Sequence, residues 1–173
     1  YSSVVTQTWQ AYYGNVTGAI TLGNAAGATM YNWSIVTPRG QVYSSTADTL
    51  TWSSIECYNM SNVANLEGDF NIPENASDGV DETFNLNNHA AFNTGTTEFT
   101  EGQCNNTQLY DNNGEGAFDV VLLESGINVI FASIINNAGT GFDGSTVDFQ
   151  MIVLEDGRTN TATTPYYFWV EIE

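Results

Sequence analysis

Residues 117–135 read AFDVVLLESGINVIFASII, and this stretch decides the fold class. Its two apolar runs, Ala117–Leu123 and Ile127–Ile135, are rich in the β-branched and aromatic residues that favour strands. The three residues between the runs, ESG, predict a hairpin. Both runs are apolar at consecutive positions, so both faces of each strand need a cover. Either these are central strands covered on both sides, or one face is an interface between subunits.

Two further strands are predicted near the C-terminus, at Val147–Leu154 (VDFQMIVL) and Tyr166–Glu173 (YYFWVEIE), joined by a polar connection. We first interpret them as a core hairpin. The side of the second strand that we expect to be buried carries Phe168, Val170 and Ile172. The opposite side, where we expect a neighbouring subunit or a second layer, carries Tyr167 and Trp169.

The first third of the chain is a series of short alternating segments separated by turn signals. The strands predicted there are Val16–Leu22, Met30–Ile35, Gln41–Ser44 and Leu50–Ile55. Turn signals every 8 to 12 residues or so are typical of an antiparallel sandwich or barrel. With about eight strands and no amphipathic helix, the sequence predicts an all-β fold, an antiparallel β-sandwich of the immunoglobulin-like or jelly-roll-like type. We expect this single domain to span residues 11–173.

Residues 1–10 (YSSVVTQTWQ) form a separate segment with strand propensity. They can add an edge strand to their own subunit, complete the sheet of a neighbouring subunit, or fray. We favour an arm exchanged between subunits. Its pairing residues are predicted to be Val4, Val5, Thr6, Thr8 and Trp9.

The region between Cys57 and Cys104 is polar and poor in β-branched residues, which predicts a long excursion from the sheet. One helical turn is expected at Ser61–Leu66, and short strands at Glu82–Asn85 and Thr97–Phe99. Because the chain has two cysteines, and neither lies in an apolar run, we expect them to form a disulfide in an exported protein.

The charge balance restricts the partners. Two basic residues stand against 20 acidic ones, for a net charge of −18. With so few cations to neutralise phosphates, nucleic acid is excluded as a partner and binding to an anionic membrane is disfavoured. The chain also lacks an apolar run long enough to insert into a membrane. Divalent cations, cationic surfaces and neutral polymers remain.

Export is also suggested by the first residue and by the sequons. Because the chain begins at Tyr1 rather than at methionine, we expect that a preceding segment, such as a signal peptide, was removed. In an extracellular protein we expect N-linked glycans on some of the N-x-S/T sequons. These sequons begin at Asn15, Asn32, Asn59, Asn75 and Asn105.

One segment resembles the first part of a calcium-binding loop. Asp111, Asn113, Glu115 and Asp119 occupy positions 1, 3, 5 and 9 of such a loop, with glycine at position 6. Position 12 is leucine rather than glutamate, and no helices flank the segment. We interpret it as a polar turn, with Ca²⁺ as the alternative, and predict no other cofactor. A second acidic cluster comprises Asp78, Asp81 and Glu82.

No catalytic constellation is recognisable, and we do not predict an enzyme. The single histidine, His89, has no nucleophile at a recognisable spacing, and no carboxylate pair for glycoside hydrolysis stands out. The four tryptophans can form a platform for stacking sugars, although we favour core packing for them. They are Trp9, Trp33, Trp52 and Trp169.

Both ends of the chain resemble a family of uncharacterised archaeal secreted or cell-surface proteins. The resembling segments are WQAYYGNVTGAITL (residues 9–22) with the following MYNWS, and GFDGSTVDFQMIVLEDG (residues 141–157) with the following TTPYYFWVEIE. Together they cover about a third of the chain. The resemblance implies an archaeal, exported, β-rich surface protein, and it implies no specific activity.

Two functions follow as hypotheses. The first is a structural subunit of an extracellular filament, a homopolymer that grows by strand complementation through residues 1–10. The alternative is a cell-surface carbohydrate-binding or adhesion module that uses exposed tryptophans or the excursion between the cysteines. A secreted hydrolase ranks last.

Overall fold

The structure, a computed structural model, describes residues 8–16, 18–23, 29–35, 39–73, 76–155 and 163–171, and for residues 18–23 and 29–35 only the backbone. The strands are β1 (Trp9–Gly14), β2 (Gly18–Gly23), β3 (Thr29–Ile35), β4 (Gln41–Ser45), β5 (Ile55–Cys57), β6 (Phe92–Thr94), β7 (Thr97–Phe99), β8 (Asn106–Tyr110), β9 (Gly116–Ser125), β10 (Asn128–Ile134), β11 (Gly139–Thr140), β12 (Thr146–Val147), β13 (Phe149–Leu154) and β14 (Tyr167–Val170). The helices are α1 (Val63–Asp69) and α2 (Val80–Thr83), with single 3-10 turns at Trp52–Ser54 and Met60–Asn62. Within these ranges no helix is long and apolar enough to cross a membrane.

The β9–β10 hairpin forms the centre of a six-stranded antiparallel sheet, which confirms the all-β, sandwich-like prediction. The strand order is β14-β4-β10-β9-β5, and β8 pairs with the first half of β9. Phe131 of β10 lies opposite Leu122 of β9, and opposite Ser44 of β4 on its other side. The predicted hairpin at residues 117–135 is therefore correct, and its strands are central.

Each face of this sheet is buried inside the chain, which decides between the two sequence interpretations of the apolar runs. On one face the core contains Val120, Leu122, Val129 and Phe131, packed against β13 and both helices. On the other face it contains Val121, Leu123, Ile130 and Ala132, packed against β6 and β7. Consecutive residues alternate between the two cores, because successive side chains of a strand point to opposite faces.

The second layer is a two-stranded sheet in which β1 pairs with β13, Trp9 lying opposite Leu154. β13 packs across β9 and β10. The two predicted C-terminal strands both exist, but the core hairpin is wrong, because β13 belongs to this layer while β14 pairs with β4 in the large sheet. Three of the four predicted strands in the first third of the chain are found, as the β2–β3 hairpin and β4.

The prediction of which face of the last strand is buried is wrong. Phe168 and Val170, expected to be buried, are 43% and 44% exposed. β14 is at the edge of the large sheet, beyond most of the second layer, and Tyr12 of β1 is the aromatic ring that reaches Phe168, with the centroids 5.1 Å apart. Trp169, on the opposite face, is half-buried against the second core. Ile172 lies outside the described residues.

The excursion between the cysteines covers both faces of the sheet. Helix α1 contributes Val63 and Leu66 to one core, whereas β6 and β7 contribute Phe92 and Phe99 to the other. The expected helical turn and the strand at Thr97–Phe99 are confirmed. Two expected strands are wrong, because residues 82–83 belong to helix α2 and residues 52–54 form a 3-10 turn before β5. Strand β8 was not predicted, because its sequence, NTQLY, is only half apolar and does not stand out as a strand.

The described end of the N-terminal segment is part of this chain's own fold. Trp9 is buried, and its indole N–H donates to the carbonyl of Asp78 at 2.7 Å. The carbonyl of Thr8, also buried, accepts a hydrogen bond from the Glu155 N–H. In this single chain Trp9 begins β1, and Thr8 extends the pairing of β1 with β13 by one hydrogen bond, whereas exchange between subunits stays a prediction. Val4, Val5 and Thr6 lie outside the described residues.

The predicted disulfide between Cys57 and Cys104 is present, with the Cα atoms 5.1 Å apart. It joins the last residue of β5 to the segment before β8, so it closes the excursion beside the sheet. Cys104 is buried in the second core.

We expect replacement of both cysteines by serine to lower the free energy of unfolding by about 4 kcal/mol, because the unfolded chain regains the entropy of an open 47-residue loop. Urea unfolding followed by circular dichroism measures the change. The oxidised and reduced wild-type proteins are the controls. A loss below roughly 1 kcal/mol would show that the excursion is held by its apolar contacts alone.

Two neighbouring serines on β4 are expected to behave oppositely. Ser45 Oγ donates to the Val129 carbonyl at 2.7 Å, whereas the buried Ser44 Oγ has no hydrogen-bond partner in the described part of the chain. Ser45→Ala should therefore cost about 1 kcal/mol of stability, and Ser44→Ala should raise stability by up to about 1 kcal/mol. Urea unfolding of the two variants is the test. Equal destabilisation would mean that Ser44 makes a bond of its own.

Candidate functional site

A recess of about 300 Å³ opens at the β14 edge of the large sheet. Several aromatic side chains of the described residues line it. Its lining consists of Tyr43, Trp52, Gly95, Trp169, Val170 and Glu171. The volume is at the lower end of the range typical of small-molecule sites, about 300–1,000 Å³.

Four separate segments build this recess. Tyr43 of β4 and Trp169 of β14 lie opposite each other in an antiparallel pair, so their side chains share one face of the sheet. Trp52 comes from the 3-10 turn before β5, and Gly95 from the turn between β6 and β7. The recess therefore exists only when the excursion is folded back against the sheet.

The aromatic rings stand nearly at right angles to one another. Trp52 and Trp169 cross at 80° with their centroids 5.8 Å apart, and Trp52 meets Tyr43 at 72° and 5.2 Å. Tyr43 is fully buried and forms the floor, whereas Trp52 is 38% exposed and forms a wall. The indoles thus form a corner rather than a flat platform.

The carboxylate of Glu171 lies at the base of the recess and connects its walls. One oxygen accepts a hydrogen bond from the Tyr43 hydroxyl at 2.5 Å, and the other accepts from the Gly95 N–H at 2.8 Å. The Tyr43 hydroxyl is also within 3.0 Å of Thr94 Oγ1 and 2.9 Å of Gln41 Oε1. This network holds the turn of the β6–β7 hairpin against β14.

The structure divides the four tryptophans that the sequence grouped together. Trp9 packs in the first core against Phe84 and Phe131, which agrees with the core interpretation. Trp52 and Trp169 meet in the recess, and the side chain of Trp33 lies outside the described part. Sequence reasoning missed Tyr43, Gly95, Val170 and Glu171 as lining residues. The signal that could have revealed Glu171 is its position two residues after Trp169, which places both side chains on the same face of the predicted strand.

His89 is a structural residue. It is fully buried, its Nδ1 lies 2.8 Å from the Ala90 carbonyl, and its Nε2 accepts a hydrogen bond from the Cys104 N–H at 3.0 Å. Both ring nitrogens are therefore used by the backbone around the disulfide, and the imidazole holds the excursion to Cys104.

The calcium-like segment is a turn between β8 and β9. Asp111 Oδ1 accepts hydrogen bonds from the Asn113 and Glu115 N–H groups at 2.7 and 2.9 Å, and these bonds, above all the one from Glu115, lower the pKa of Asp111. Asp119 instead accepts from the Asn106 side chain at 3.1 Å, and burial raises its pKa. Asp111 therefore caps its own turn, whereas Asp119 is tied to β8 through Asn106, and Ca²⁺ binding at this segment stays a prediction.

A different acidic cluster gathers three carboxylates. Oxygens of Glu67, Asp81 and Glu82 lie within 4.8 Å of one another. The sequence analysis grouped Asp78 with Asp81 and Glu82. In the structure the third carboxylate of the cluster is that of Glu67 in α1. Glu67 also accepts a hydrogen bond from the Val80 N–H at 2.7 Å, and a hydrogen bond with the Asp81 side chain raises the pKa of Glu82. Within this cluster, the Glu67 carboxylate caps the start of α2.

The sequon asparagines have different environments. Asn15 and Asn59 are exposed. The side-chain amide of Asn105 donates to the Phe84 carbonyl at 2.8 Å, and the threonine of that sequon, Thr107, is buried. The Asn32 side chain and Asn75 lie outside the described residues.

Comparison with protein-family models, with curated proteins and with solved structures found no match. The site that the geometry of this chain singles out is the aromatic recess.

Proposed function

We propose that this chain is an exported surface module that binds a small ligand in the aromatic recess, the adhesion or binding alternative among the sequence hypotheses. The observation that supports it best is the meeting of Trp52 and Trp169 with the Glu171 carboxylate around a cavity of about 300 Å³. Partly exposed indoles beside a hydrogen-bonded carboxylate bring apolar and polar groups together in one recess, and such convergence is typical of binding sites.

An extracellular setting is supported by the Cys57–Cys104 disulfide, since such bonds persist in oxidising compartments. The resemblance to archaeal secreted proteins points the same way. Within this proposal, Asn15 and Asn59 are the sequons that we expect to carry glycans, because both are exposed. Ca²⁺ is proposed only as a surface counter-ion of a chain with a net charge of −18.

The test is binding of the labelled protein to an array of immobilised glycans and small molecules, with Trp52→Ala as the variant. We expect at least tenfold weaker binding of the variant, because one wall of the recess is lost. Tyr110→Ala is the matched control, since Tyr110 is an exposed aromatic residue outside the recess. Equal binding by both variants, or no binding by the wild type, would contradict the proposal.

Filament assembly remains a second proposed function, supported by an open strand edge. β14 pairs with β4 on one side and has no partner on its other side in the described part of the chain. An exposed aromatic pair lies at this edge, Tyr12 with Phe168, with the centroids 5.1 Å apart. Since Trp9 is anchored, the donated strand in this proposal is shortened to residues 1–7.

Strand pairing at the outer edge of β14 can be blocked by removing one hydrogen-bond donor. The Glu171 N–H bonds to the Gln41 carbonyl, so by alternation the Phe168 N–H points away from β4. Phe168→Pro removes this outward donor without a loss of β4 pairing, whereas Phe168→Ala removes only the ring. We expect Phe168→Pro and deletion of residues 1–7 to abolish filaments in electron micrographs. Filaments from either of these, or none from Phe168→Ala, would argue against strand docking.

A further inference from the structure

The shape of the aromatic recess separates two kinds of ligand. A sugar ring stacks on a flat, exposed aromatic face, but Trp52 and Trp169 meet at 80° and offer a corner. A compact group that presents a similar surface in every direction can lie in such a corner and contact both indoles at once. The negative faces of aromatic rings attract a cation, most strongly for tryptophan, and quaternary ammonium groups are recognised in this way.

The charge in the recess favours the same ligand. A carboxylate offers about four acceptor positions, and the hydrogen bonds from Tyr43 and Gly95 occupy two of those of Glu171. None of the basic side chains in the described part of the chain forms an ion pair with Glu171. Among the described residues, no cationic side chain balances the negative charge that this carboxylate presents to the recess. A cation that lacks N–H groups can balance this charge without competing with Tyr43 and Gly95 for the acceptor positions of Glu171.

The whole chain adds a long-range contribution of the same sign. A net charge of −18 raises the local concentration of cations and lowers that of anions around the molecule. A neutral sugar gains nothing from this field. The modest volume, about 300 Å³, suits a headgroup rather than an oligosaccharide.

We propose, on the basis of the binding function above, that the recess binds a small organic cation of the quaternary ammonium class. Trp52 and Trp169 contact its methyl groups with their ring faces, and Glu171 is its counter-ion. Tyr43 does not contact the solvent and has a positioning role, because its hydroxyl holds the Glu171 carboxylate in place.

The experiment is a calorimetric titration with choline and with its neutral isostere 3,3-dimethylbutan-1-ol, in which carbon replaces the charged nitrogen. Salt at about 0.15 M screens the long-range field, so that the contacts in the recess dominate. We expect saturable choline binding at least tenfold tighter than that of the isostere. Trp52→Ala should weaken choline binding at least tenfold, and Tyr110→Ala should leave it unchanged.

Glu171→Gln tests the counter-ion, because it keeps the size of the side chain and removes the charge. We expect it to weaken choline binding at least fivefold and to leave the isostere unaffected, which a merely misfolded recess would not do. Trp52→Phe is the second variant, and we expect its aromatic ring to retain more binding than alanine.

The remaining outcomes separate this inference from the proposed function. Equal binding of choline and the isostere would overturn the cationic ligand class. Binding of a neutral sugar that Trp52→Ala abolishes, without choline binding, would overturn the ligand class and leave the binding function intact. Choline binding that neither Trp52→Ala nor Glu171→Gln weakens would be general attraction to an acidic protein and would overturn the inference. If neither choline nor any ligand on the array binds, both proposals fail.

Discussion

The structure depends on one constraint, the need to cover both faces of the β9–β10 hairpin. Its residues alternate between two cores, with Leu122 and Phe131 in one and Leu123 and Ile130 in the other. A sheet with apolar residues on both sides is stable in water only when a layer packs on each side. The β1–β13 layer and helix α1 cover one face, and the β6–β7 hairpin covers the other.

The covers of both faces come partly from the same excursion, which passes round the edge of the sheet. Ordering a segment of this length with little regular structure costs much conformational entropy, and the segment is held in place at several points. The disulfide closes it, His89 bonds to the Cys104 backbone, and Glu171 holds the turn at Gly95. The aromatic recess lies where this cover ends, at the edge strand β14. The site is therefore a consequence of how the second core is closed.

Strand β14 links the two candidate functions. Trp169 of this strand and Glu171 just after it line the recess, and among the described residues the outer edge of the strand is unpaired beside Phe168. Only one side of this strand is paired, because β4 is its single neighbour in the described part of the chain. A ligand in the recess would therefore contact the inward face of β14, whereas a docked strand would pair with its outer edge.

The sequence by itself determined the all-β class, the central hairpin and the disulfide, since these follow from local periodicity, a turn tripeptide and the presence of two cysteines. It favoured core packing for all four tryptophans, although it also assigned Trp9 to an exchanged arm, and of the described ones Trp9 alone is buried. Only the tertiary structure decided which strands pair, so that β13 and β14 separate into different layers. It also decided the site, because Tyr43, Trp52, Gly95 and Glu171 are distant in the sequence and are united by the pairing of β14 with β4 and by the return of the excursion. Periodicity reports which face of a strand is apolar, whereas the partner that covers this face depends on contacts between residues far apart in the chain.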